Sequence, residues 1–536
     1  MKALLIGIDA GCLPVFEQLY EEDVIPRIES VCTNGVCGPL ESQIPPWTPS
    51  AWPSVYTGVN PGKHGIFGFI GFDGYDYHVV TGSDVHAHRL WTLLDYQDLS
   101  SVIVNVPVTH PPDPVDGAII PGFIGPENPP CHPEGILEEV RDAIGEYRVY
   151  PKYAREDDTY TDEEKMNEYC TLVSMRGRAF RYLADRFEPE FGFIEFQKTD
   201  TVFHEFVGDW EKVKQVYKET DWQIGQIIDK HDPETIFIAS DHGMGRYERD
   251  EFRVNSYLRD HGYVETKQGG AGMPTWNQMR TDLRAGDQVR TEEHTTIKKF
   301  TASLAEKGIT PNRVAQLLEQ VGLAEFARKY APSGIVRAGA EQVDFPASTA
   351  FMRARTELGI RLNVAGREPS GIISPEEYED VRTDLIELLR SASTPNGAPV
   401  FQEVVPREEY FHGSKAEKAV DIVTVPNNFQ HFMSAQIRDE LFGPPTEPWN
   451  HKLEGIFAAK GNGINDTAVL DDPHLLDVAP TILSALGIPL HHQMDGKTLP
   501  VVSPTPVEEY PEYSPAEFSE VSDGVEDRLA DLGYMS

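Results

Sequence analysis

The chain has 536 residues, of which 40% are hydrophobic, and its 86 acidic and 47 basic residues give a formal net charge of -39 at pH 7. A surface with this charge repels nucleic acid and anionic membranes, so we expect neither as a partner, and the acidic excess is typical of halophile-like proteins that work in concentrated salt. The five cysteines contain no CxxC pair, which argues against a disulfide framework or a thiolate zinc site.

The amino-terminal segment lacks the features of a targeting signal. It reads MKALLIGIDAG, a short apolar run that ends in an acid and a glycine rather than in a small-residue cleavage site. Elsewhere no stretch reaches the apolar length that a membrane span needs. The sequence therefore predicts a cytoplasmic protein without a membrane segment.

Five short apolar runs predict buried strands. They lie at 3–8, 101–106, 191–196, 235–239 and 455–459. Helical stretches lie between them, at 163–187 and 210–230. Because continuous apolar strands that alternate with helices are typical of doubly wound folds, we expect an α/β core with a mostly parallel central sheet flanked by helices.

The pattern changes in the middle of the chain, which predicts an insertion. We expect the first part of the α/β core at 1–264, an inserted helical and α+β cap region at 265–420, the second part of the core at 421–502 and an acidic tail at 503–536. Alternating runs at 359–405 surround a helical stretch at 375–391 in the cap region, and 525–532 is a short amphipathic helix candidate in the tail.

Polar side chains follow several predicted strands closely. Asp9 directly follows the first strand, Asp200 comes four residues after the third, and Asp241 and His242 come just after the fourth. In open α/β sheets, ligands bind at the carboxyl ends of the strands. We therefore expect these side chains to share one edge of the sheet.

Thr48 lies directly before Pro49 in the segment IPPWTPSAWPSVYTG. Threonine at an N-cap, followed by proline at the first helical position, predicts the start of a helix. A hydroxyl there would lie beside unpaired backbone N–H groups, an arrangement that suits a phosphate group. Taken alone, a plain capping threonine is the more common role, because nucleophilic threonines are rare.

Metal-ligand residue types recur at intervals along the chain. Asp200 and His204 are four residues apart and can bind one ion from one face of a helix, whereas His451 is a lone histidine ahead of a strand. Each has an ordinary structural interpretation, as a surface pair or a loop histidine. With Asp9, Asp241 and His242 they supply the three aspartates and three histidines that two divalent ions need. Zinc, manganese and iron all accept such ligands.

The order of these residues resembles that of the alkaline phosphatase superfamily, and in particular its type I phosphodiesterase/nucleotide pyrophosphatase branch. The resemblance includes TGVNPGKHGIFGF at 57–69, NVPVTHPP at 105–112, REPSG at 367–371 and DVAPTILSALGIPLHHQMDG at 477–496. It implies an alkaline-phosphatase-like fold with an inserted cap. It also implies metal-dependent hydrolysis of a small-molecule phosphate ester, with two divalent ions, zinc foremost.

The resemblance implies a role for each member of the set. One ion would be held by Asp200, His204 and His451, and the other by Asp9, Asp241 and His242, with Thr48 bridging to it as a further ligand. Thr48 would attack the ester and form a phospho-threonine intermediate, which water then hydrolyses.

The sequence departs from the nucleotide pyrophosphatase pattern at two positions. Phe69 stands where those enzymes carry an asparagine that holds a phosphate oxygen, and Pro53 removes a backbone donor early in the helix of Thr48. Lys198 or Asn105 would then have to supply a compensating donor. Two alternatives stay open: phosphomutase-type phosphoryl transfer, and a non-catalytic homologue that binds metal or phosphate.

Overall fold

The computed structural model describes residues 1–153, 159–268 and 341–514. The predicted tail helix at 525–532 and most of the predicted polar and helical part of the cap region therefore lie outside the described residues. Among the helices that are described, none combines the length and the apolar character that crossing a lipid bilayer requires.

The strands of the described residues are numbered in chain order. They are β1 Ala3–Ile8, β2 Val36–Glu41, β3 Ile70–Asp73, β4 Asp76–Val79, β5 Ser101–Val104, β6 Gly117–Ile120, β7 Phe191–Phe196, β8 Thr235–Ala239, β9 Gly243–Arg246, β10 Glu251–Arg253, β11 Thr266–Gln268, β12 Glu341–Val343, β13 Ala350–Phe351, β14 Gly359–Leu362, β15 Phe401–Pro406, β16 Ile422–Pro426, β17 Met433–Ser434, β18 Phe442–Gly443, β19 Trp449–Lys452, β20 Glu454–Gly461, β21 Leu490–His491 and β22 Val507–Glu508. All five predicted strands are present, and β1, β7 and β8 have the predicted bounds.

The α-helices of the described residues are numbered in the same way. They are α1 Leu13–Glu21, α2 Pro26–Thr33, α3 Thr48–Thr57, α4 Pro61–His64, α5 Leu90–Asp95, α6 Ile136–Ile144, α7 Asp162–Phe187, α8 Lys198–Glu205, α9 Trp210–His231, α10 Val254–Asp260, α11 Tyr378–Arg390 and α12 Val478–Ala485. The two long helices predicted between the strands are α7 and α9.

The central sheet has seven strands in the order β2-β20-β8-β1-β7-β5-β6. The five strands β8, β1, β7, β5 and β6 are parallel to one another, whereas β20 is antiparallel to both of its neighbours. Residues of β1 alternate between the two faces, so that Leu4 and Ile6 belong to one buried cluster and Ala3 and Leu5 to the other. The predicted mostly parallel sheet with helices on both faces is confirmed.

A second sheet of four strands, in the order β13-β14-β16-β15, lies in the insertion and is antiparallel. We call this sheet, together with α11, the cap. The strand β16 follows the predicted core boundary at 420/421, yet it pairs within the cap. Arg367 donates to both carboxylate oxygens of the buried Asp421, at 2.6 and 2.7 Å, and so joins two segments of the cap.

Trp52 fixes α3 on the central sheet. Its ring is fully buried and lies over Gly7 of β1 and near Phe193 of β7, with ring centroids 5.9 Å apart. A Cβ atom at Gly7 would lie 2.6 Å from the Trp52 ring and 3.2 Å from Cγ of Glu195. Only a residue without a side chain allows the helix to lie this close to the sheet.

We therefore expect Gly7→Ala to displace α3, the helix that begins at Thr48. The free energy of unfolding should fall by about 1–3 kcal/mol, the usual effect of overpacking a core, as measured by denaturant unfolding. Gly68→Ala is the matched control, because its Cβ would lie an ordinary 3.5 Å from the nearest atom. Equal stability of the two variants would contradict this account of Gly7.

His64 is a fully buried histidine in the loop that follows α3. Its Nδ1 accepts from the backbone N–H of Ile66 at 3.2 Å, so its Nε2 carries the proton and donates to Ser54 Oγ at 2.9 Å. Burial lowers the pKa of His64 to about 3. The imidazole is therefore neutral in the folded protein across the physiological range.

Acid should destabilise the fold through His64. In the unfolded chain, His64 takes up a proton as the pH falls below its ordinary pKa of about 6.5. In the folded protein it stays uncharged until about pH 3, so the free energy of unfolding falls as the pH falls between these two values. Between pH 7.5 and 5 the loss from this group should be about 2 kcal/mol. Unfolding of the metal-free parent and of His64→Gln at several pH values measures it, and identical pH dependence of the two would contradict the assignment.

Candidate metal centre

Thr48 is the first helical residue of α3. The sequence predicts it one position earlier, as the N-cap that precedes the helix. Trp47, with an extended backbone, is the N-cap, and its carbonyl accepts from the N–H groups of Ser50 and Ala51 at 2.9 Å each. The helical hydrogen bonds thus begin at Trp47, which corrects the predicted N-cap role of Thr48. Because Ser50 and Ala51 donate their N–H groups to Trp47, the helix start also offers fewer free donors than expected.

Asp200 and His204 lie one turn apart on α8, which begins directly after β7. His204 Nε2 is 3.2 Å from Asp200 Oδ1, and His451 Nε2 is 3.4 Å from the same oxygen. The two histidine Nε2 atoms are 3.1 Å apart. The three side chains that the sequence assigns to one ion therefore converge on one point.

Asp9, Asp241 and His242 form a second, fully buried group at the ends of β1 and β8. His242 Nε2 is 3.4 Å from Asp9 Oδ1 and 3.2 Å from Asp241 Oδ2. The hydroxyl of Thr48 lies beside this group, with its Oγ1 3.4 Å from His242 Nε2. All seven residues predicted from the sequence thus meet at the carboxyl edge of the sheet.

The two groups are in direct contact. The rings of His242 and His451 stack with centroids 3.6 Å apart and planes inclined by 16°. This contact arises because β19, which carries His451, pairs antiparallel with β9, directly after His242. Ligand atoms of Asp200, His242 and His451 also lie within 4.8 Å of one another. His242 therefore lies within reach of both groups, while His204 Nε2 contacts Asp200 Oδ1 at 3.2 Å.

Two of the three histidines have their orientation fixed by backbone carbonyls. His242 Nδ1 lies 3.0 Å from the carbonyl of Gly243, and His451 Nδ1 lies 2.8 Å from that of Pro46. Because a carbonyl only accepts, each Nδ1 must carry the proton, which leaves the Nε2 lone pair directed at the cluster. Histidines that bind metals are commonly held in this way.

The carboxylates of the cluster are buried without adequate donors. Both oxygens of Asp9, Oδ2 of Asp241 and Oδ1 of Asp200 have no hydrogen-bond partner within the described ranges. Burial, followed by the charges of neighbouring aspartates, raises the pKa of Asp9 and Asp241 well above the ordinary value. Burial, followed by the neighbouring His451, lowers the pKa of His242. Carboxylate oxygens without a hydrogen-bond partner, beside imidazole nitrogens, fit divalent metal ions.

A family model described as type I phosphodiesterase / nucleotide pyrophosphatase matches residues 3–321. The chain belongs to this family. The match contains six of the seven clustered residues, since His451 lies beyond its end. A search of curated protein sequences found no match.

Solved structures share the fold of this chain, which is alkaline-phosphatase-like. Phosphonoacetate hydrolase from Sinorhizobium meliloti 1021, in complex with phosphonoformate, is 12% identical, with 89% of this chain and 94% of that chain covered and a TM-score of 0.50. Wild-type alkaline phosphatase PafA is 14% identical, with 93% and 98% covered and a TM-score of 0.50. At this identity the likeness concerns the fold alone.

A buried network beside the candidate metal centre was not predicted from the sequence. Glu195 of β7 is fully buried, and its Oε2 accepts from Asn105 Nδ2 at 2.7 Å, while Asn105 Oδ1 accepts from Arg176 Nε at 3.0 Å. Both ends of the Asn105 amide are therefore engaged within the protein. Of the two compensating donors that the sequence suggests, this leaves Lys198, whose Nζ also donates to Gln197 at 2.6 Å. The feature of the sequence that could have indicated this network is Glu195, a glutamate inside the otherwise apolar run FGFIEF.

Glu447 is a further residue that the sequence does not reveal. Its Oε2 lies 3.6 Å from His204 Nδ1, and its Oε1 accepts from Arg355 of the cap insertion at 2.9 Å. Asn450 donates to Oε2 at 3.0 Å. Glu447 thus connects the cap to the one clustered histidine whose Nδ1 is not held by a carbonyl.

We expect Glu447→Ala to weaken binding of the ion at Asp200, His204 and His451 by about 10–100-fold, the usual effect of losing a carboxylate partner of a metal-binding histidine. Zinc titration in competition with a chromophoric chelator measures the affinity. Glu440→Ala, which removes an exposed carboxylate from the same segment, is the control. If Glu447→Ala binds zinc as tightly as the parent protein, Glu447 has no role in positioning His204.

Proposed function

We propose that the chain hydrolyses a small-molecule phosphate ester, with Thr48 as the nucleophile, in a site that holds two divalent ions. Zinc is the foremost candidate, and manganese and iron suit the same ligands. The observation that carries the proposal is the position of the Thr48 hydroxyl, 3.4 Å from His242 Nε2 at the edge of the carboxylate–histidine cluster. Membership in the phosphodiesterase family supports phosphate-ester hydrolysis as the reaction class.

The ligand sets divide between the two ions. Asp200, His204 and His451 would hold one ion, and Asp9, Asp241 and His242 would hold the other. When bound, such ions supply positive charge that activates a neighbouring hydroxyl and neutralises the oxygens of the reacting phosphoryl group. The unpartnered oxygens of Asp9, Asp200 and Asp241 are the observation that supports this assignment.

The chain's own residues would position the reaction. Trp52 and Gly7 hold α3 on the sheet, so the Thr48 hydroxyl has a fixed place beside the second group. Its oxygen would give up its proton to solvent and form a bond to phosphorus while the bond to the leaving oxygen breaks, giving a phospho-threonine and an alcohol that takes its proton from water. Water would then displace the Thr48 oxygen from phosphorus. A monoester substrate would yield inorganic phosphate, and a diester substrate would yield a phosphate monoester. The positive end of α3 favours an anion at this position throughout.

The test is release of p-nitrophenol from bis-p-nitrophenyl phosphate and from p-nitrophenyl phosphate, with zinc or manganese added and with metal removed. We expect metal-dependent hydrolysis of at least one of the two esters. An accompanying metal analysis is essential, because binding of both ions without hydrolysis of either ester would instead identify a non-catalytic homologue. The strongly acidic surface predicts that nucleic acid is neither bound nor cleaved.

A further inference from the structure

Two sequence motifs, at 57–69 and 477–496, contain none of the seven clustered residues. The structure brings these motifs together at the end of α3. The carbonyl of Gly58, which follows the last residue of α3, accepts from the backbone N–H groups of Asp495 and Gly496, at 2.9 and 3.1 Å. The second motif therefore holds the end of the helix whose first residue is the proposed nucleophile.

The side chain of Asp495 binds partners from two parts of the chain. Its Oδ2 accepts from the backbone N–H of Asn60 at 2.8 Å, and its Oδ1 pairs with Lys63 Nζ. The Nε2 atom of His412 lies 3.2 Å from the same Oδ1. His412 belongs to the loop between β15 and β16 of the cap, residues 407–421, which we call the cap loop. Asp495 therefore joins the end of α3 to the cap.

Asn60 makes the same connection through its side-chain amide. Its Oδ1 accepts from the N–H groups of Gly62 at 2.8 Å and of His412 at 3.2 Å. Its Nδ2 donates to the carbonyl of Tyr410 at 2.7 Å. Beside these bonds, the carbonyl of Gly62 accepts from the N–H of Lys415 at 2.7 Å. The first motif is thus hydrogen-bonded to the cap loop at three points.

The first motif and the cap loop are also closely packed. A Cβ atom at Gly62 would lie 2.5 Å from the carbonyl oxygen of His412, so no side chain fits between the two segments. The rings of Phe67 and Phe411 pack edge to face, with centroids 5.2 Å apart. The distance between the cap loop and the end of α3 is therefore fixed by apolar as well as polar contacts.

The cap contacts the chain at the start of α3 as well. Ile44 and Trp47, in the segment that leads to Thr48, belong to the same buried cluster as Val423 of β16. The helix therefore lies beside the cap at both of its ends. Its start is held by apolar packing and its end by the polar contacts of the two motifs.

We propose that Asn60 and Asp495 are positioning residues, which hold α3 and the cap in one relative position and so keep the Thr48 hydroxyl in place at the metal centre. Within the described residues, neither side chain has a hydrogen bond or an ion pair with any of the seven clustered residues. Both would therefore act through the helix and the cap. The effect on turnover rests on the proposed function, whereas the connection between α3 and the cap does not.

Hydrogen–deuterium exchange of the zinc-loaded protein tests the connection itself. We expect Asp495→Ala and Asn60→Ala each to speed exchange in peptides that cover 410–415 on the order of tenfold, the effect of losing about one hydrogen bond. Asp466→Ala, which removes an exposed carboxylate from the same part of the chain, is the control and should exchange as the parent does. Exchange at the parent rate in both joint variants would overturn the inference, whatever the activity of the protein.

Turnover of the p-nitrophenyl esters tests whether this connection positions Thr48. We expect Asp495→Ala and Asn60→Ala each to lower kcat on the order of tenfold, because small displacements of a reacting group are costly. KM and zinc affinity should change less, since every metal ligand is retained. If the two residues act as one unit, the double variant should have about the kcat of the more impaired single variant.

Lys63 provides a conservative comparison. Lys63→Arg keeps a cation beside Asp495 and should lose less kcat than Lys63→Ala. Effects of Asn60→Ala and Asp495→Ala that multiply in the double variant, or a raised KM with unchanged kcat, would overturn the positioning role. A parent protein that hydrolyses neither ester would overturn the proposed function, and the exchange result would then decide on the connection alone.

Discussion

Replacing Thr48 with alanine is expected to lower kcat for phosphate-ester hydrolysis by at least about 10³-fold, because removal of a nucleophile leaves only binding and electrostatic effects. The cluster should remain intact. Thr48 touches the second group of ligands only through its hydroxyl, 3.4 Å from His242 Nε2, and it lies at the helix start, where a methyl group is tolerated. Binding of both ions should therefore persist in the variant.

Hydrolysis of bis-p-nitrophenyl phosphate, measured together with metal content, checks this expectation. Thr57→Ala is the matched control, because Thr57 is an equally buried threonine at the other end of α3, where its hydroxyl donates to the carbonyl of Pro53. Thr48→Ser should retain part of the activity, since it keeps the hydroxyl. Turnover of Thr48→Ala within tenfold of the parent would exclude Thr48 as the nucleophile.

Removal of the metal ions should abolish turnover and destabilise the protein. Without cations, the carboxylates of Asp9, Asp200 and Asp241 share one buried cluster with unpartnered oxygens. Ions that bind only the folded state stabilise it by about 4 kcal/mol for each site when their free concentration is 1,000 times Kd. Chelation should reverse this gain, and thermal unfolding with and without chelator measures it.

The return of zinc should restore both activity and stability, with saturation at two ions per chain. Asp241→Ala should bind fewer ions than the parent, whereas Asp229→Ala, which removes a surface carboxylate paired with Arg27, should still bind two. Full turnover in protein that contains no detectable metal would contradict the two-ion proposal.

Much of the core can be predicted because its chemistry is local. The runs that form β1, β7 and β8 are buried on both faces, so they are apolar except for Glu195 and Thr235, and a polar residue follows each of them at once. Parallel pairing then brings the ends of these strands to one edge, which is why Asp9 and Asp241 could be expected together. The same reasoning does not separate β16 from the core strands, because a buried strand of the cap is equally apolar.

The remainder of the site depends on contacts that no local pattern encodes. His451 reaches the cluster because β19 pairs antiparallel with β9. The two strands are separated in the chain by the whole insertion, and no local sequence pattern shows that they pair. The groups that orient the histidines include the carbonyls of Pro46 and Gly243, and a backbone carbonyl has no sequence signature. Glu447 lies in an irregular segment without any motif. Its role follows only from its distance to His204.

The proposed reaction proceeds through a covalent bond between Thr48 and the substrate phosphoryl group. Rapid acid quench of a single turnover of the zinc-loaded protein with bis-p-nitrophenyl phosphate, followed by peptide mass spectrometry, tests it most directly. We predict a phosphoryl ester adduct on the peptide that contains Thr48, with fragment ions that locate it on that residue. An adduct on any other residue, or product formation with no adduct at any time point, would exclude nucleophilic attack by Thr48.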